Sequence, residues 1–141
     1  MDTERKNSLS DQSQAIFLHT PLGIHLWELN SDDDLILIGS NPAADKFTGI
    51  KTSELYGKTI EKAFPGLEGK EQPERYKLVA VNGGTYTELS YPYEDSRING
   101  TYDIWAFQIA LNQVVVQFSE VTEQKMTLEA LKQSTLELKK K

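Results

Sequence analysis

The 141-residue chain carries 15 basic against 21 acidic side chains, a net charge of −6, and no cysteine. That balance argues against a general binder of nucleic acid or anionic membrane, because both rely on basic surface. The missing thiols exclude disulfides, thiolate metal sites, iron–sulfur clusters and cysteine nucleophiles. With 38% hydrophobic and 9% aromatic residues the chain can bury a core, as one domain with terminal extensions. No apolar run approaches the roughly 18 residues that span a bilayer, and no signal peptide is expected, so the expected location is the cytoplasm.

Residues Met1–Gln14 are polar, disordered or loosely helical at the start. Ser10-Asp11 is a cap for a short helix through Ala15–Leu18, stopped by Pro21. Ile16 and Phe17 in that helix are too apolar for water; they lie on the domain or pair with a second copy. Gly23–Asn30 and Leu35–Ile38 read as the strands of a hairpin. The three aspartates between them lack the alternating ligands of a calcium loop and read as a solvated tip. Asn41-Pro42 opens a short helix with Asn as cap and Pro in its first turn, closed by Thr48-Gly49. Two more helical turns, Thr52–Tyr56 and Thr59–Phe64, are punctuated by Gly57 and Pro65-Gly66. Pro73–Val81 is the long internal helix, and Asn82-Gly83-Gly84 ends it without any phosphate-loop pattern.

The rest is sheet. Thr85–Tyr93 and Thr101–Leu111 are strands, separated by a polar turn at Glu94–Gly100. Asn112-Gln113 turns the chain into a last strand through Val114, Val115, Val116 and Phe118. From Val121 the apolar period changes to a heptad, with Val121, Leu128 and Thr135 on one line and Gln124, Leu131 and Leu138 on the other. Thr122 caps that helix and Glu123 suits its positive end. Such a helix either folds back over its own sheet or leads away as a paired linker. It runs into Lys139-Lys140-Lys141 without a Gly or Pro stop, as in a module from a longer chain. The architecture expected is α+β, an antiparallel sheet with helices clustered over one face.

Little in this order supports catalysis. His19 and His25 have no partners spaced as a triad or a metal-ligand set, and His25 on an apolar strand reads as structural. Tyr86, Tyr91, Tyr93 and Tyr102 lie on strands, where cross-strand pairing accounts for them.

Over about Gly23–Thr122 the chain resembles the PAS sensor-domain family, through five local matches in order. These are GIHLWELN for the first strand, the N-P-A-A-x-x-F-T-G run Asn41–Gly49, and the E-L-x-G-K segment Glu54–Lys58. The F-P-G segment Phe64–Gly66 and the S-E-V-T-E-Q-K junction complete them, the latter similar to the family's Asp-Ile-Thr motif with Glu120 in place of Asp. The resemblance implies a five-stranded antiparallel sheet, with an N-terminal extension over 1–22, a core over 23–122 and a signalling helix over 123–141. It implies that the Glu120 carboxylate and Thr122 couple the core to the output helix, with looser geometry for the longer Glu.

The same resemblance bears on cofactors. A flavin adduct and the covalent chromophore of yellow photoreceptors both need a cysteine, which this chain lacks. The usual haem histidine sits on the long internal helix, and Pro73–Val81 has none. What remains is a packed core, a small ligand or a noncovalent flavin. Candidate pocket residues are Phe47, Tyr76, Val79, Ile104 and Ala106. Dimer candidates are Ile16, Phe17, Val121, Leu128, Leu131 and Leu138. The function implied is a non-enzymatic sensory and dimerisation module. It would pass a signal from its core through the C-terminal helix to a downstream kinase or other output domain, within a two-component-type protein. A homodimer is expected, with no nucleic-acid or direct membrane contact. The alternatives are a PAS domain used only for protein docking without a ligand, and a small α+β pocket enzyme.

Overall fold

Val114, Val116 and Phe118 alternate along one face of the last strand, and all three are buried. That strand is the centre of the sheet, hydrogen-bonded on both sides, and Val115 on its other face is also buried. In the computed structural model the described residues are 2–121 and 131–132, with side chains from Asp11 onward.

The elements run α1 (Asp2–His19), β1 (Gly23–Leu29), β2 (Leu35–Ser40), α2 (Pro42–Thr48), a 3-10 turn at Thr52–Leu55 and α3 (Ile60–Ala63). A second 3-10 turn at Pro65–Leu67 leads to α4 (Gln72–Asn82), then β3 (Thr85–Glu94), β4 (Asn99–Ala110) and β5 (Gln113–Glu120). The sheet order is β2-β1-β5-β4-β3, and every pairing is antiparallel. The short helices between β2 and β3 lie against one face and enclose the core there. This is the α+β architecture expected, with helices over one face of a five-stranded sheet.

Two local expectations are corrected. The N-terminal segment is one helix from Asp2, and Ser10-Asp11 lies within it instead of capping a short one. No glycine or proline interrupts residues 2–19, so nothing stops the helix earlier. The turn after β3 is not uniformly polar. Asp95 accepts the backbone N–H groups of Arg97 (2.7 Å) and Ile98 (2.9 Å), and Ile98 is carried down into the core.

Asn41 ties three elements together. Its Oδ1 accepts the N–H of Ala44 at 3.0 Å, capping α2, and the N–H of Ile24 on β1 at 2.8 Å. Its Nδ2 donates to the carbonyls of Leu22 (2.9 Å) and Phe17 (3.0 Å), which holds the end of α1 against the domain. The other end of α2 closes on Gly49, whose φ of 76° is the left-handed conformation glycine adopts without strain. Its Asp45 side chain accepts the N–H and hydroxyl of Thr52, fixing the following turn.

At the far end of the sheet α4 is held by its Ala80 carbonyl, which accepts both the Asn112 N–H (2.9 Å) and the Gln108 amide (2.8 Å). The Pro65–Leu67 turn presses directly on β3. A side chain at Gly66 would stand 2.4 Å from the Glu94 carbonyl oxygen and 2.7 Å from the Tyr93 ring. Only a glycine permits this approach, which brings the Gly66 N–H to 3.2 Å from the Tyr93 hydroxyl.

Candidate functional site: an aromatic cavity in the core

Strand alternation sends His25 and Trp27 to the same inner face of β1, across from Val116 and Val114 of β5. Between that face and the helices lies a cavity of about 80 Å³. The sheet contributes His25, Trp27, Val116 and Phe118 from β1 and β5, and Tyr91, Tyr93, Tyr102 and Ile104 from β3 and β4. Thr48 of α2, Ile60 of α3, Phe64, Leu67 and Tyr76 of α4 close it from the helical side, with Ile98 from the turn.

His25 is the polar centre of this space. Its ring stacks on Phe64 with centroids 5.2 Å apart, and lies 4.8 Å from Phe118 and 6.0 Å, edge-on, from Trp27. Its Nε2 is buried and has no hydrogen-bond partner. Burial pushes the imidazole pKa down to about 3, opposed only in part by the negative Asp45. The ring is therefore neutral at pH 7, with one lone-pair nitrogen.

Three of the five hydroxyls around the cavity are already committed. Thr48 donates to the Ala44 carbonyl at 2.8 Å, and Tyr102 to the Phe47 carbonyl at 3.3 Å. Tyr93 donates to Asp95 while accepting from Gly66. Burial raises the Tyr93 pKa, and the bond to Asp95 raises it further. Tyr76 is also raised, mainly by burial. These phenols stay protonated at neutral pH and supply no charge.

A second, outer pocket of about 370 Å³ lies beside Gly66, Lys70, Glu71, Gln72, Pro92 and Glu94. Tyr91 lines both spaces, so it stands between the core cavity and the surface.

Of the residues proposed from sequence for the pocket, Tyr76 and Ile104 line the cavity. Val79 and Ala106 are buried in the core outside that lining, and Phe47 packs against the core half-buried. His25, Trp27, Phe64 and Phe118 were missed. The alternation in GIHLWEL places His25 and Trp27 on one face and was legible, whereas Phe64 comes from a turn with no period. The strand tyrosines do more than pair: Tyr91 and Tyr102 are cross-strand partners, and both also line the cavity.

At the junction, Glu120 is exposed at the end of β5, directly opposite Tyr102 of β4. The Tyr102 pKa is raised by burial first and by Glu120 second. Val121 is buried within the chain, its N–H donating to the Thr101 carbonyl at 2.8 Å. Ile16 is exposed, Phe17 is half-buried, and Leu131 is helical and exposed. Thr122, Gln124, Leu128, Thr135 and Leu138 lie outside the described residues.

The cavity does not fit a flavin or a haem. At about 80 Å³ it is far below the roughly 300–1,000 Å³ of pockets that hold drug-sized ligands. Among the described residues, no three His, Cys, Asp or Glu side chains stand together as a metal site, and no helix is long and apolar enough to cross a membrane.

A five-stranded antiparallel sheet with short helices over one face is the fold of PAS and light-oxygen-voltage domains. No family model matches the chain, and no curated protein matches it. Solved structures do. One is a domain of the sensory box sensor histidine kinase/response regulator from Geobacter sulfurreducens, with a TM-score of 0.58 and 13% identity over 78% of this chain and 92% of that one. Another is the PAS domain of a protein from Colwellia psychrerythraea, with a TM-score of 0.57 and 14% identity over 82% and 98%. An RNA-binding light-oxygen-voltage receptor matches with a TM-score of 0.69 and 16% identity, over 94% of this chain but 39% of that one. These similarities establish the PAS fold.

Proposed function

We propose that this chain is a sensory PAS module whose core state is passed to a downstream output domain through the segment after Val121, which the heptad spacing predicts to be helical, in a protein of the two-component type. The observation that carries this reading is the position of the cavity relative to the exit. Phe118 and Tyr102 line the cavity and pack edge-on, 5.8 Å between ring centroids. Phe118 is two residues from Glu120, and Tyr102 is the cross-strand partner of Glu120. A change in how the cavity is filled therefore acts on the last residues of β5 directly. The sensor histidine kinase source of one similar structure supports the two-component setting.

The sharpest local test is Tyr102→Phe. It removes the bond to Phe47 at a global cost of about 1 kcal/mol. Amide exchange at Val121 should rise more than at Val115 in the sheet centre. An equal change at both sites would mean that Tyr102 has no special hold on the exit.

We propose further that the module works as a homodimer, with α1 and the terminal helix as contact elements. Ile16 is 69% exposed and Leu131 64% exposed, apolar surface of the kind a partner helix covers. Leu131→Glu should weaken self-association at least fivefold in sedimentation over a concentration series. Unchanged association would remove the terminal helix from the interface. The module is read as one that passes on the state of its core and does not turn over a substrate.

A further inference from the structure

The core cavity has a chemistry narrow enough to name its ligand class. We infer that it receives a small neutral molecule, a short alkyl group bearing one N–H or O–H donor, with the His25 imidazole as acceptor. This rests on reading the core as a sensing site.

Size sets the first limit. The volume of about 80 Å³ is roughly half of the 150 Å³ that holds benzene in an engineered protein cavity, and equals about three liquid-water volumes. About three non-hydrogen atoms fit. Charge sets the second limit. With His25 neutral, no lining residue carries a charge. An ionised ligand would be desolvated without a counter-ion, a cost of several kcal/mol or more. Shape and polarity set the third. The rings of Trp27, Phe64 and Phe118 surround His25 and offer faces and edges to an apolar body.

The remaining feature is the unpartnered Nε2 of His25. An imidazole nitrogen buried without a partner is costly, and in the Nδ1–H tautomer a ligand that donates to Nε2 removes that cost. Thr48, Tyr93 and Tyr102 are committed within the fold. A ligand that donates therefore gains over an isostere that does not.

Ethanol and dimethyl ether make the test. They are neutral isomers of about three non-hydrogen atoms, and only ethanol has an O–H. Each is titrated into the isotope-labelled full chain while the core methyl, Trp27 indole and His25 ring-nitrogen resonances are followed. Ethanol should give saturable shifts, bind at least fivefold more tightly than dimethyl ether, and move the His25 ring nitrogens. His25→Leu should bring the two affinities together. The affinity ratio and the nitrogen shifts in the unmodified chain decide the matter even if that variant folds poorly. Equal binding of ethanol and dimethyl ether, or still His25 nitrogens, would overturn the assignment while leaving a ligand-binding core. No core shift with either molecule, as for a cavity holding water alone, would overturn both the assignment and the sensing cavity beneath it.

Discussion

Replacing Asn41 by Ala should cost about 3–4 kcal/mol, a large share of what a domain of this size has to lose. The side chain is 2% exposed and makes four hydrogen bonds to backbone groups of α1's exit, β1 and α2. Loss of a helix cap alone costs about 1 kcal/mol. Each buried N–H or carbonyl left without a partner adds about 1 kcal/mol or more. Asn41→Ser retains an oxygen for the α2 cap but no amide donor, and should recover only about 1 kcal/mol of the loss. Urea unfolding of the three proteins, compared by midpoint at constant slope, measures both steps. A loss below about 1 kcal/mol for Asn41→Ala would show that water replaces the side chain and that Asn41 does not join the elements.

Acid should destabilise the fold well above the carboxylate range, because of His25. In the folded chain its pKa is about 3 against an ordinary 6.5, so between those values the unfolded chain binds the extra proton. Stability then rises with pH across the window. The contribution is fully present above about pH 6.5 and is lost progressively as pH falls towards 3. The slope is about 1.4 kcal/mol per pH unit, so about 2 kcal/mol should vanish between pH 6.5 and 5. Asp95 acts lower down. Its carboxylate is held below the ordinary value, with burial opposing and the Tyr93 and backbone hydrogen bonds prevailing. Its stabilisation is therefore lost only at more acid pH. The check is the unfolding free energy of the wild type and His25→Phe across pH 4.5–7.5. A slope in the wild type that disappears in the variant is expected. Parallel curves would mean that His25 is protonated in the fold without penalty, contrary to its burial among rings.

Most of the architecture was legible from local chemistry. The Asn41-Pro42 start and Gly49 stop of α2, the end of α4 at Asn82-Gly83 and the five strand runs all follow from capping, turn residues and period. The N-terminal helix was under-read because polar sequence carries no apolar stripe, although nothing in it breaks a helix. The cavity was legible only by region. Helical spacing pointed to Tyr76 and Val79 together, yet only Tyr76 lines the space, because which of two buried neighbours reaches it depends on the position of α4 over the sheet.

His25 shows the division most clearly. The sequence by itself put it on an apolar strand, facing the same way as Trp27, and denied it the partners of a catalytic or metal site. It also determined that no thiol chemistry is available anywhere in the chain. Only the tertiary structure decided that Phe64 from a turn, Phe118 from a strand distant in sequence and Trp27 would close around that imidazole and leave its nitrogen unpaired. The physical reason is that desolvation is a property of the surrounding volume. Local pattern tells a side chain which way to face, whereas what it meets there is set by segments that the fold brings together.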